Sequence, residues 1–361
     1  MKKTLVAIAA LAAVSSFAQS SVTLYGVGDV WLGQSSSGIG AAKVSNMVLN
    51  SGGLNGSRFG LRGSEDLGGG LKAEFQFENG FGLDTGVTTN SNSGVLTGAA
   101  GAQSKTPAAP AGSAVAIFGR QAFIGLNGGF GNLRLGRQYS SYDEIRGGTD
   151  ALGHTSFSAT AGAGAWDTVG ANYTFRVNNM IRYETPNMSG LTANVSFGLG
   201  ENKTAALGAD SLTAFKVQYA NGPVMVGLGY QSEKAVRPSP VPGDFKLNHT
   251  LIAGSYDFGA AKINAGFNTS KWTGSNKDQE MQVGVTVPLG AVSVALGYGT
   301  SKNSTAGVTN AKGNTVGLQA LYSLSKRTTA YAGLQNTKVE NGAGAATAKT
   351  NVTAVGMRHT F

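Results

Sequence analysis

Leu71-Lys72-Ala73-Glu74-Phe75-Gln76-Phe77-Glu78 alternates without a fault: odd positions are apolar and even positions are charged or amide. A strand sends successive side chains to opposite faces, so this octapeptide has one greasy face and one wet face. A soluble sandwich turns the greasy face inward. A bilayer demands the inverse, apolar residues outside and polar residues around a water-filled lumen. From Val22 to Phe361 the unit recurs about sixteen times, each alternating run ending in a turn or loop rich in Gly, Asn and Ser.

Other features choose the membrane. Lys2 and Lys3, the apolar run Leu5 to Val14, and Ser16-Phe17-Ala18 before Gln19 read as a cleaved signal peptide over residues 1–18, leaving one domain over 19–361 for export. No later stretch approaches the roughly 20 uncharged apolar residues of a membrane-spanning helix. The C-terminus alternates up to a terminal aromatic, Phe361, where a soluble chain more often frays. The mean hydropathy of -0.05 is what strands with one apolar and one polar face average to. Cysteine is absent, which excludes disulfides and thiolate metal sites. Proline inside a closed barrel strand removes a ladder hydrogen bond, and Pro107, Pro110, Pro186, Pro223, Pro238, Pro240, Pro242 and Pro288 all fall in connections or at their edges.

The expected fold is all-β: a sixteen-stranded antiparallel transmembrane barrel in the outer membrane of a Gram-negative cell. Short periplasmic turns are expected at 68–70, 127–131, 186–190, 220–223, 258–260, 288–290 and 323–327. Long extracellular loops are expected at 33–56, 82–114, 140–177, 201–210, 235–245, 272–277, 302–312 and 341–349. Parity turns Phe59, Leu61, Phe197, Leu228, Ile263, Phe267, Val283 and Leu296 outward and their alternates toward the pore. Tyr230, Tyr256, Tyr298 and Phe361 sit near expected strand ends, as girdle residues or as ordinary strand-end aromatics. Parity fails over Phe118–Leu126 and Arg134–Tyr139, which suggests bulges or packed surfaces there.

The formal charge of the whole chain is +9, and +7 once Lys2 and Lys3 are removed. Arg58, Arg62, Arg120, Arg134, Arg137, Arg176 and Arg182 fall on or beside neighbouring strands, where inward-facing guanidiniums would form a basic wall; alternatively each pairs with a local carboxylate. The longest connection, 140–177, has Asp143, Glu144, Asp150 and Asp167. Folded into the lumen, it would set negative charge against that wall across a constriction; otherwise it is a solvated surface loop. Enzyme signatures are absent: His154, His249 and His359 form no metal-ligand pair, and no nucleophile elbow or phosphate loop occurs. No cofactor, no metal and no nucleic-acid partner are expected. The expected function is passive passage of inorganic ions and small organic ions or other hydrophilic solutes, with lipid and lipopolysaccharide as surroundings. A channel selective for one organic anion, and a plugged structural or adhesive barrel, are the alternatives. Phe361 is expected to anchor the last strand or to serve assembly.

Six blocks also resemble a known family: Gln19 to Gly26, Gly56 to Ala73, Phe118 to Leu126, Leu135 to Tyr139, Arg176 to Tyr183, and the terminal Arg358-His359-Thr360-Phe361. In order and across nearly the whole chain, they resemble the general diffusion porins of β-proteobacteria. The resemblance implies a homotrimer of sixteen-stranded barrels, the third long loop folded into each pore, and anion-preferring diffusion. It also implies an arginine-lined constriction, to which Arg58, Arg120 and Arg176 correspond best, with Arg62 and Arg137 next. The second loop, 82–114, departs from the pattern in being rich in Ala and Gly, with Asp84 and Lys105 as its charges.

Overall fold

The computed structural model describes residues 21–89, 116–201, 203–205, 208–235 and 244–361. The signal-peptide reading, most of the second loop with Lys105, Pro107 and Pro110, and the fifth-loop prolines Pro238, Pro240 and Pro242 lie outside the described residues. The chain runs through β1 (Ser21–Ser37), β2 (Val44–Ser51), β3 (Arg58–Gly68), β4 (Leu71–Gly80), β5 (Gln121–Gly128), β6 (Gly131–Tyr139), α1 (Ser141–Thr149) and α2 (Ala165–Val169). It continues through β7 (Arg176–Glu184), β8 (Leu191–Leu199), β9 (Ser211–Asn221), β10 (Val224–Ala235), β11 (Phe245–Asp257), β12 (Lys262–Trp272) and β13 (Asn276–Leu289). The last four strands are β14 (Val292–Thr305), β15 (Val308–Ser323), β16 (Thr328–Asn341) and β17 (Ala346–Thr360).

Each strand pairs antiparallel with its neighbour, and β1 closes the ring on β17 from Val27↔Thr360 to Ser37↔Thr350. β2 and β3 lie end to end along β1, at Val30↔Ser51 to Ser37↔Val44 and at Ser21↔Ser64 to Val27↔Arg58. They make one stave interrupted at 52–57, so the barrel has sixteen staves. Closure is obligatory, because an open edge in hydrocarbon leaves backbone groups unpaired.

Exposure is inverted relative to a soluble protein. Phe59, Leu61, Phe197, Leu228, Ile263, Phe267, Val283 and Leu296 are exposed, while Asn194, Gln231, Asn268, Gln282 and Thr315 are buried. Three connections expected to be long are tight: β12–β13 turns through 273–275, β14–β15 through Ala306-Gly307, and β1 continues into a hairpin with β2. Polar residues there alternate in ladders that rise beyond the apolar band, so Tyr230 and Tyr298 stand mid-strand. The expected irregularity in β6 is a register shift at Gly136/Gln138, with Gly136 at φ 129°. In β5, Phe123 turns inward beneath Arg134, whose guanidinium lies 5.0 Å from the ring centroid.

The chain end is stitched to the first strand. Gly26 N–H donates to Phe361 O at 3.0 Å and Phe361 N–H to Gly26 O at 3.1 Å. The Phe361 ring lies over Gly26, where a Cβ would collide with it, and is 51% exposed. Deleting Phe361 should therefore lower the yield of heat-resistant assembled barrel while leaving the conductance of the assembled fraction unchanged.

Candidate functional site

The connection between β6 and β7, residues 140–175, lies inside the barrel. Ser140 caps α1 by accepting from Asp143 N–H at 3.2 Å, and Asp143 and Glu144 sit in the first turn, where the helix dipole favours them. The loop covers the inner wall of β8–β17 with Tyr142, Ile145, Leu152, Phe157 and Trp166, all at most 1% exposed. Burying each from a wet lumen is worth about 2 kcal/mol. Room for them comes from inward-facing glycines: a Cβ on Gly227 or Gly229 would meet Ile145, on Gly297 Leu152, and on Gly317 or Gly333 Phe157. Hydrogen bonds complete the seating: Trp166 Nε1 to Met281 O at 3.1 Å, Tyr142 OH to Asn268 Oδ1 at 2.9 Å, and Thr174 N to Glu233 Oε1 at 2.7 Å.

A second inward element was not legible in the sequence. Gly52, at φ 82°, turns the chain out of β2, and 52–57 folds around the fully buried carboxylate of Asp29. Asp29 accepts from Gly53 N at 3.0 Å, Leu54 N at 2.8 Å, Asn55 N at 2.7 Å and Tyr331 OH at 2.5 Å. Ser156 of the third loop then docks on this kink, N–H to Gly53 O at 2.8 Å and Oγ to Gly52 O at 3.0 Å. The only sequence signal was a lone acid at an inward position of β1.

Opposite the loop stands the arginine wall. Glu78, the last residue of the opening octapeptide, bridges Arg58 Nε at 3.2 Å and Arg120 Nε at 2.7 Å. Tyr139 OH then accepts from Arg120 at 2.9 Å and Arg176 at 2.8 Å, and Arg176 stacks over the Tyr139 and Phe175 rings. Glu78 thus bridges two of the three guanidiniums and Tyr139 joins the third, and nothing in the sequence marks Glu78 or Tyr139 for that role. Arg62 lies one inward step below, over the Tyr25 ring at 5.0 Å. Arg134 pairs with Glu74 at 2.7 Å.

The other expected site residues are placed differently. Arg137 is a correction: its ladder partner Ala122 shares the outward row of exposed Phe77, and its guanidinium donates to Gly119 O at 2.7 Å and Asn178 Oδ1 at 2.6 Å. Arg137 is three residues from inward-facing Arg134 along an unshifted ladder with β5, so alternation sends it to the same face as exposed Leu135. Arg182 is buried between Glu144 at 2.5 Å and Glu184 at 2.8 Å. The three acids do not form an open row. Asp150 is buried and holds the loop's own turn, accepting from Leu152 N at 2.9 Å, His154 N at 3.2 Å, Thr160 Oγ1 at 3.1 Å and Ser158 Oγ. Glu144 fastens the loop to Arg182 and to Lys216 at 3.0 Å. Burial pushes its pKa up, but those two cations outweigh burial and hold it below the usual carboxylate range. Asp143 accepts from Tyr173 OH at 2.5 Å. Burial raises its pKa, against the opposing pull of His154, Tyr173, Arg146 and Arg176.

A closed barrel with a loop seated across its lumen from a basic wall is the arrangement of a channel. The family model described as Gram-negative porin matches residues 4–342. The chain belongs to the Gram-negative porin family. It is 32% identical to outer membrane porin protein 32 of Delftia acidovorans and 31% identical to an outer membrane porin protein of Bordetella pertussis, each aligned over the full length of both chains. A solved structure, the anion-selective porin from Comamonas acidovorans, superposes with a TM-score of 0.74 at 28% identity, covering 95% of this chain and all of that one. This porin is thus an outer-membrane β-barrel, and its relatives are channels rather than enzymes.

Proposed function

We propose that this porin is a passive, water-filled, anion-preferring channel for ions and small hydrophilic solutes. We further propose that Arg58, Arg120 and Arg176 are its selectivity residues, with Arg62 as a basic step toward the periplasm. The observation behind this reading is the stoichiometry of the wall: three guanidiniums linked in a row through Glu78 and the neutral Tyr139 hydroxyl, with one carboxylate among them, facing a loop whose acids are engaged in its own fastening. Such a cluster holds a positive potential that concentrates anions and repels cations. The anion selectivity of the Comamonas structure supports the sign. A homotrimer is part of the proposal, from the family resemblance. The zero-current potential of reconstituted channels in a potassium chloride gradient tests it; a cation-selective sign overturns it.

Asp143 makes the preference depend on pH. It faces Arg176 electrostatically, and its pKa is raised, so on acidification it takes up a proton before Glu144, whose pKa is lowered. Loss of that negative charge makes the lumen more positive. Chloride preference should therefore rise as the pH falls from neutral toward the carboxylate range. Asp143→Asn should show the higher preference already at neutral pH and lose this step.

A further inference from the structure

The outward face has a second pattern, independent of the selectivity reading. Each of the four hairpins in the second half of the barrel has two lysines directly opposite one another below its extracellular loop. The pairs are Lys234↔Lys246 across β10–β11, Lys271↔Lys277 across β12–β13, Lys302↔Lys312 across β14–β15, and Lys338↔Lys349 across β16–β17. Alternation puts all eight on the outside. Stepping by two toward the membrane, the outward residues are polar before they turn apolar, at the second step in Lys302, Thr300, Tyr298 and Lys312, Asn314, Val316, and at the third from Lys246 and Lys349. Four residues along a strand tilted by about 40° raise six of the lysines about 10 Å above the lipid-facing side chains, and six residues raise Lys246 and Lys349 about 15 Å, the level of the headgroups. The strand lysines of β1–β9, Lys72 and Lys216, have inward parity, so the belt is confined to one arc.

Like charges placed directly opposite one another repel, so four such pairs at one level call for anions between them. The protein supplies few. Lys234 meets Asp244 at 2.6 Å, Lys338 meets Glu340, and Glu340 also feels Lys312. Among the described residues, Lys246, Lys271, Lys277, Lys302 and Lys349 have no carboxylate in ion-pair contact. We propose that this belt docks the phosphorylated headgroups of the outer-leaflet glycolipid, each lysine pair clamping a phosphate. The flexible lysine stem suits this role, since it can bend along the barrel while its ammonium stays in the headgroup layer.

The test uses the full-length protein in neutral detergent, with bisphosphorylated lipid A as probe and dephosphorylated lipid A as control. The quadruple variant Lys271→Gln, Lys277→Gln, Lys302→Gln and Lys312→Gln should bind bisphosphorylated lipid A at least tenfold more weakly, since each basic group at an anionic surface contributes about fivefold. Binding of the dephosphorylated probe should not change. Lys72→Gln with Lys326→Gln, which removes lysines near the opposite rim, should leave both unchanged. Conductance in concentrated salt verifies that each barrel is intact, and the pair Lys302→Gln and Lys312→Gln serves if the quadruple variant fails to assemble. Equal binding by parent and variant, equal loss for both lipids, or an equal loss from the opposite-rim variant overturns the proposal.

Discussion

Replacing Arg58, Arg120 and Arg176 together by glutamine is expected to collapse the chloride-over-potassium preference and leave Glu78 as an uncompensated negative charge on the wall. Three positive charges leave one lumen level, so the permeability ratio should fall by about an order of magnitude in dilute salt, where the Debye length is about 30 Å. At 1 M, where it is about 3 Å, parent and variant should converge. Single replacements should do less, because Glu78 and Tyr139 each bridge two arginines and the remaining guanidiniums can repartition. The same titration on Lys302→Gln with Lys312→Gln should show little change, since those charges stand outside the lumen. A triple variant that keeps the parent's ratio at low salt would falsify the arginine assignment.

Gly317→Val is expected to unseat the third loop. A Cβ at 317 meets the backbone carbonyl of Phe157, which cannot rotate aside as a side-chain end can. Gly317 has no positive φ, so valine is compatible with strand β15 itself, and the collision falls on the loop. Overpacking of this kind costs about 1–3 kcal/mol, comparable to the burial of one of the loop's five large apolar anchors. The open-channel conductance should rise and the loop should become cleavable by protease, while the heat stability of the barrel changes little. Unchanged conductance with a protected loop would show that the glycines do not determine its position. Gly68→Val, at a turn with open space around it, would probe only turn strain from its φ of 85°.

The barrel was legible because its cause is local. Alternation with period two, a turn after each run and a terminal aromatic are properties of segments, and a bilayer admits one closed arrangement of such segments. Parity therefore placed Phe59, Leu228 and Leu296 outside from the sequence alone. It also placed the polar residues of the opening octapeptide inside, where Glu74 and Glu78 meet Arg134, Arg58 and Arg120. The basic wall was readable in outline for the same reason: strands adjacent in order are adjacent in a barrel.

What the sequence could not determine is what the lumen does with its own contents. Leu212, Leu251, Ala295 and Tyr331 point inward against the porin rule, and only the inserted loop explains them, since they form the floor on which it rests. Asp150 and Glu144 read as free acids until the fold supplies their partners from within the loop and from β7 and β9. Arg137 left the expected wall because it has the parity of outward Leu135 and not of inward Arg134, and only the ladder with β5 shows which face each parity meets. Asp29 organises residues 24 to 302 positions away, a relation with no periodicity to betray it. Strand alternation is repaid within each hairpin and is written in every segment. The seat of the loop, the bridges among the arginines and the opposed lysine pairs arise only where ring closure and ladder register bring distant residues together.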